Sequence, residues 1–233
     1  MGGVEDERLR AAVATSRQWY DEVHALHHRP ALVEDDVWRT GRPLPWHSQV
    51  VTLAPTVGAG HVLAAFEGDE GSVADSFARL DLRPQGFDVL FEARWLHRDP
   101  PAAPPPLPDG WSVVRSAGVL AEWADRHDYR GVLTEDVLDH PRLWVLSGRR
   151  SGRLVAGAVV HDTPAAVGLS NVWARERSDV GDAVRAAQAL HPGRPLTGYA
   201  RGEQLARLLA EGFAEVGTHR VWVRSVRPSA PSR

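Results

Sequence analysis

The chain has 233 residues, 43% of them hydrophobic, with a formal net charge of -3 and no cysteine. That length holds one large domain or two small ones with a sizeable core, and the composition argues against global disorder. Near-neutral charge speaks against a bulk nucleic-acid or anionic-membrane partner, and the missing cysteines exclude disulfides, thiolate zinc sites and a cysteine nucleophile. All 27 basic residues are arginine, so no lysine nucleophile or Schiff base is available. The longest apolar runs are too short to span a bilayer. The opening Met1 to Arg8 is acidic and polar, unlike a signal peptide, and a cytoplasmic protein is expected.

His24, His27 and His28 fall on one helix, with His24 and His28 spaced to share a face. No zincin pattern follows and no third ligand is evident, so a solvated or half-buried face is the simpler reading and no metal is expected. Trp46 to Leu53 reads as a strand, Val57 to Phe66 as a helix, and Gly86-Phe87 leads into a strand ending at Arg94 to Arg98. The proline-rich run Asp99 to Gly110 reads as a semi-rigid linker. It divides an N-terminal domain, 1–98, from a C-terminal one, 111–226, followed by a flexible tail, 227–233.

Beyond the linker, Trp111 to Ser116 reads as a strand. Gly118 to His127 reads as a helix with Leu120, Trp123 and Ala124 on one face. A short helix starts at Thr134, and Leu143 to Leu146 is an apolar strand closed by a turn at Gly148 to Gly152. Arg153 to His161 and Ala165 to Ala174 are strands joined through Asp162-Thr163-Pro164. Gly181 to Leu190 is a helix stopped by His191-Pro192-Gly193. Pro195 to Tyr199 (strand), Glu203 to Glu211 (helix) and Phe213 to Val223 (strand) complete the chain. The pattern predicts an α/β (α+β) domain with helices packed on a mixed, mostly antiparallel sheet. Gly86-Phe87 stands before Arg94 to Arg98 at the spacing by which Gly212-Phe213 stands before Arg220 to Arg224, and Trp46 to Leu53 resembles the strand carrying Leu169 to Val172. This suggests a tandem with a reduced first half; an unrelated α+β N-terminal domain is the alternative.

The order from Gly152 to Arg224 is strand, strand with Gly168-Leu-Ser-Asn171, helix, strand, helix ending in Gly212-Phe213, strand. It resembles the core of the GNAT acyltransferase superfamily, over Trp111 to Arg224 and more weakly over 36–98. The resemblance implies a central strand that splays from its neighbour and hydrogen-bonds the pantetheine arm of acetyl-CoA or another acyl-CoA. Leu169, Ser170, Asn171, Val172 and Trp173 stand on the matching strand. An open strand edge readily takes an extended amide-bearing arm. Gly168 either allows close backbone approach or marks a bulge, with Asn171 serving a turn.

The family's pyrophosphate loop has Arg or Gln, two residues, Gly, one residue, and Gly or Ala before a helix N-terminus. The nearest match is Ser178 to Ala183, in which Gly181 and Ala183 fit and Arg175 and Arg177 lie close. Asp179 and Asp182 suit the helix dipole but repel a pyrophosphate. Where many family members place a tyrosine that protonates the departing thiolate stands Leu208, with Tyr199 as substitute. His161 or Glu176 is the candidate base, although a lone strand-end histidine is more often solvated or structural.

The expected function is an acyl-CoA-dependent N-acyltransferase acting on a small amine. Two alternatives stand beside it. In one, the scaffold has left coenzyme A and binds or converts a small metabolite in a cleft between the halves, lined by some of Trp46, Trp95, Trp173 and Trp222. In the other, the chain is an interaction module or homodimer built on its arginine- and tryptophan-bearing strands. There is no Walker loop, dinucleotide fingerprint or Gly-x-Ser-x-Gly elbow around Ser170. Arg115, Arg149, Arg150 and Arg153 form either a basic patch or an exposed hairpin face.

Overall fold

The computed structural model describes residues 2–225; residue 226 and the tail expected at 227–233 lie outside them. In chain order the elements are α1 (Gly2–Ala25), β1 (Leu32–Glu34), β2 (Val37–Arg39), β3 (Val50–Thr52), α2 (Ala59–Ala65), β4 (Gly71–Asp75), β5 (Asp88–Arg98), β6 (Trp111–Val113), α3 (Ala117–His127), β7 (Leu143–Arg150), β8 (Arg153–Asp162), β9 (Val167–Ala174), α4 (Arg177–Leu190), β10 (Leu196–Ala200), α5 (Gly202–Ala210) and β11 (Ala214–Arg224). Residues 99–110 form no helix or strand. Among the described residues no helix is long and apolar enough to cross a membrane.

Two compact units emerge. The first takes the chain up to His28 together with Arg94–Gly217; the second takes Arg29–Ala93 together with the chain from Thr218. This division differs from one drawn at the proline-rich run. Helix α1 belongs with the C-terminal elements, and β5 and β11 each contribute residues to both units.

In the first unit the strand order is β5-β10-β9-β8-β7-β6. Only β10 and β9 pair in parallel, so the sheet is mixed and mostly antiparallel as the pattern predicts. Side chains alternate across a strand. On β8, Ala156, Ala158 and Val160 join a core with Val180, Ala183, Val184 and Ala187 of α4. On the other face, Gly157 meets Trp123 of α3 and His161 meets Trp19 of α1. Helix α3 buries the expected Leu120, Trp123 and Ala124; the Ser116 hydroxyl accepts from the Val119 N–H at its start, and Asp128 closes it in the left-handed region. The segment after Thr134 is a single 3-10 turn, Glu135–Asp139.

Helix α4 starts four residues before Gly181. The Asp179 carboxylate accepts the Glu176 N–H at 3.3 Å, and that local bond sets the boundary.

In the second unit the strand order is β1-β2-β3-β4-β11, with β3 and β4 parallel. Val37, Val50, Val62, Val73, Leu82, Phe87 and Trp222 form its core. The strand expected from Trp46 shrinks to Val50–Thr52, because Trp46 sits at φ +66 in a turn.

Candidate functional site

Strand β9 separates from β10 after two residues. Val167 pairs with Leu196 and Gly168 with Thr197, and there the parallel ladder stops. β10 continues to Ala200, paired with β5 on its other side, while β9 continues to Ala174, paired with β8 on its other side. The β10-facing edge of Leu169 to Ala174 is therefore open, and Ser170 to Ala174 are half-buried. Gly198 on β10 holds the mouth of the opening, since a Cβ there would lie 2.5 Å from the Leu169 carbonyl oxygen.

A bulge follows. Ser170 opposes Val159 and Trp173 opposes Gly157, so Asn171 and Val172 share the single residue Ala158. Asn171 carries the distortion at φ +51, a left-handed conformation that asparagine tolerates better than most residues. Its side chain fixes the neighbourhood. The His127 Nε2–H donates to the Asn171 Oδ1 at 3.3 Å, and the Asn171 Nδ2 donates to the Ser170 hydroxyl at 3.1 Å. The Asn171 side chain also hydrogen-bonds the buried Tyr129 phenol. Burial pushes the His127 imidazole below its usual pKa, and the Asn171 bond and Asp128 offset only part of that. Tyr20, Tyr129 and Tyr199 converge here from α1, the segment after α3, and β10. Tyr199 remains 43% exposed, edge-on to the buried Trp95 ring at 5.4 Å. Trp173 and Trp123 stack edge-to-face over Gly157, where a Cβ would collide with both indoles.

Helix α1 covers the row of residues beside this point. His161, Gly168, Thr197 and His97 are successive partners across β8, β9, β10 and β5. Thr15 fills the space a Cβ on Gly168 would need, and its hydroxyl lies 3.2 Å from that of Thr163. His161 is 2% exposed, with its Nε2 3.3 Å from Glu22 Oε2, and Arg142 reaches the other Glu22 oxygen at 2.5 Å. Burial alone would raise the Glu22 pKa, but the adjacent His161, the Gln18 hydrogen bond and the Arg142 charge together hold it below the ordinary carboxylate value. The base role expected for His161 therefore gives way to a structural one, because the imidazole is enclosed between α1 and the sheet.

The start of α4 is occupied by the chain's own charges. Only Arg175 and Glu176 separate β9 from α4. Arg150 of β7 pairs with Glu176 at 3.0 Å and with the buried Asp179 at 2.6 Å. Glu176 is thus a helix-start residue held by an arginine, not a free base. Arg175 is exposed; Arg177 is the first residue of α4, and its side chain lies outside the described ones.

Gly181 and Ala183, expected in a phosphate loop, lie inside the helix. Their N–H groups belong to its internal ladder. Gly181 faces the Glu211 carboxylate, and Ala183 is fully buried in the core.

The tryptophans expected to line one cleft differ in burial. Trp46 is 73% exposed in the second unit, Trp222 is fully buried in that unit's core, and Trp95 is buried in the first unit beside Tyr199. The N-terminal histidines serve the backbone: His24 Nδ1 donates to the Tyr20 carbonyl and His27 Nε2 to the Val132 carbonyl, each at 2.8 Å. Among the described residues no group of three or more His, Asp or Glu side chains is arranged to hold a metal.

No protein-family model matches the sequence, and no curated protein matches it. Solved structures do match in shape. A GCN5-related N-acetyltransferase from Kribbella flavida superposes with a TM-score of 0.62 at 14% identity, covering 91% of this chain and 96% of its own. A GNAT-family protein from Novosphingobium aromaticivorans gives 0.60 at 15% identity, covering 93% and 96%. A conserved protein of unknown function from Staphylococcus epidermidis gives 0.58 at 12% identity, covering 84% and 94%. The chain has the GNAT fold.

Within the GNAT fold, the two places that would receive an acyl-CoA donor fare differently here. The open β9 edge fits an extended arm, because no residue of β9 beyond Gly168 pairs with β10. The start of α4 does not fit a pyrophosphate, because two carboxylates and their arginine already occupy it. The position where a tyrosine acid was sought, Leu208, is 5% exposed and packs in the α4 core.

Proposed function

We propose that the chain is an N-acyltransferase that moves an acyl group from a thioester to a small amine. The observation that carries this reading is the splay of β9 from β10 with the bulge at Asn171, which leaves the β9 edge beyond Gly168 without a ladder partner on that side. In the reaction a C–N bond forms to the acyl carbon, the C–S bond breaks, and the amine proton leaves as the thiolate is protonated. The backbone from Leu169 to Trp173 binds the donor arm and orients its carbonyl.

His127 takes the amine proton. Its Nε2–H is committed to Asn171 and burial keeps it neutral, so Nδ1 holds the free lone pair. Tyr199, partly exposed on the facing strand, protonates the sulfur. His127 replaces the residues expected from sequence, His161 and Glu176, both of which are tied to charged partners.

A second reading, a GNAT scaffold that binds or converts a small metabolite without acyl transfer, draws on the carboxylates at the start of α4. Thiol release from acetyl-CoA and from S-acetyl-pantetheine, each with a panel of small primary amines, separates the two. Amine-dependent release from either donor is the expected result. No release from both donors across the panel leaves the metabolite reading standing.

A further inference from the structure

The arm site and the α4 start disagree, and the disagreement concerns the donor. A coenzyme A donor needs both: an open strand edge for the amide-bearing arm and a loop with free helix N-terminal amides for the pyrophosphate. The first is present. For the second, three observations stand against an anion. The β9–α4 connection is two residues long, too short to form a cradle of backbone N–H groups. The Gly181 and Ala183 amides lie in the helix interior. The helix start already carries Glu176 and the buried Asp179, with Asp179 accepting the Glu176 N–H and Arg150 bridging both carboxylates. An incoming pyrophosphate would face two like charges and compete for an arginine already shared between them.

We propose that the donor is an acyl thioester on a pantetheine arm that carries no nucleotide diphosphate. The inference rests on the acyl-transfer reading for its chemistry, but its geometry is separate: it concerns which arm binds. The shared ligand chemistry is a pantetheine thioester, either free or displayed by an acidic carrier protein through a single phosphodiester. Arg153 and Arg175, both exposed near this end of the sheet, offer charge to a single phosphate without requiring the filled helix start.

The test measures binding and turnover independently. Calorimetric titration with S-acetyl-pantetheine and with acetyl-CoA should show acetyl-CoA binding no tighter than S-acetyl-pantetheine, since its pyrophosphate gains no contact and meets the Glu176 and Asp179 carboxylates. Acetyl-CoA binding more than tenfold tighter overturns the proposal, as does binding of neither donor.

The variant Glu176→Gln, at a side chain 64% exposed and so safe for folding, should tighten acetyl-CoA severalfold and leave S-acetyl-pantetheine unchanged. Equal response of both donors counts against the proposal. An acetylated phosphopantetheinyl carrier protein, added as a third donor, distinguishes the sources. Saturation at lower concentration than the free thioester assigns the arm to a carrier, and preference for the free thioester assigns it to a small molecule; either supports the nucleotide-free donor. Donor binding without amine-dependent thiol release would sink acyl transfer while leaving this inference intact.

Discussion

The open edge of β9 and the start of α4 are neighbours in sequence, separated by Arg175 and Glu176, yet they have different relations to the GNAT pattern. The edge is a matter of backbone: a ladder that stops after Gly168, a bulge at Asn171, a glycine at position 198. The helix start is a matter of side-chain charge, and here the charges are carboxylates held by Arg150. A fold can keep the first while changing the second, because the strand geometry is enforced by the whole sheet whereas a helix start is set by a few local side chains, here Glu176, Asp179 and Arg150. Fold likeness therefore speaks for the strand geometry and is silent on what either place binds.

The comparison breaks most severely at Gly198. A side chain there meets the Leu169 backbone carbonyl, which cannot rotate away. Gly198→Val should cost about 3 kcal/mol of stability by overpacking, seen as a lowered Tm, and should reduce thioester turnover about 100-fold through displacement of the strand edge. Turnover and melting unchanged in that variant would show that the splay is not held there.

The next effect lies at Asn171. Asn171→Val places a β-branched residue at φ +51 and should cost about 2 kcal/mol. Asn171→Gly relieves the backbone but removes the anchor for His127 and Tyr129. Its melting temperature should stay near that of the parent, while kcat falls about tenfold and the acidic limb of the pH–rate profile moves as His127 loses its partner. A glycine variant with unaltered kcat and pH profile would remove His127 from the reaction.

Glu22→Gln sharpens what α1 contributes. The Glu22 pKa is held below its ordinary value, so its stabilisation is present above about pH 4.5 and is lost as pH falls through the folded-state pKa. Parent and variant should differ by about 2 kcal/mol at pH 7, and the gap should close as the pH drops below 4. A gap that widens on acidification would contradict the assigned charge state.

The strand and helix order of the first unit was legible in the sequence because apolar alternation along Arg153 to Ala174 and the Gly-Phe punctuation at 212–213 are local signals. The sequence pattern leaves a bulge or a close approach open at Gly168, whereas the bulge is centred on Asn171 and Gly168 makes room for Thr15. The sequence pattern starts α4 at Gly181, whereas the Asp179–Glu176 bond begins the helix earlier. The partners that define the site were out of reach of periodicity: His127 and Asn171 are 44 residues apart, and Thr15 and Thr163 are 148 apart. The ownership of α1 is a consequence of such distant contacts, which no local pattern records.

The smallest expected effect separates stability from selectivity at the helix start. Asp179 is buried and accepts both the Glu176 N–H and an Arg150 hydrogen bond. Asp179→Ala should therefore cost about 1 kcal/mol, the usual loss when a helix-start carboxylate is removed. Glu176 is largely exposed, and its ion pair with Arg150 is screened by water. Glu176→Gln should shift the melting temperature by no more than about 2 °C, and raising the salt should erase even that difference. If thermal melts instead show Glu176→Gln to be as damaging as Asp179→Ala, the two carboxylates act together as a structural cap. If only Asp179 matters to stability, Glu176 is free to have been chosen for the charge it presents to a ligand. That is the property by which this helix start differs from the open strand edge beside it.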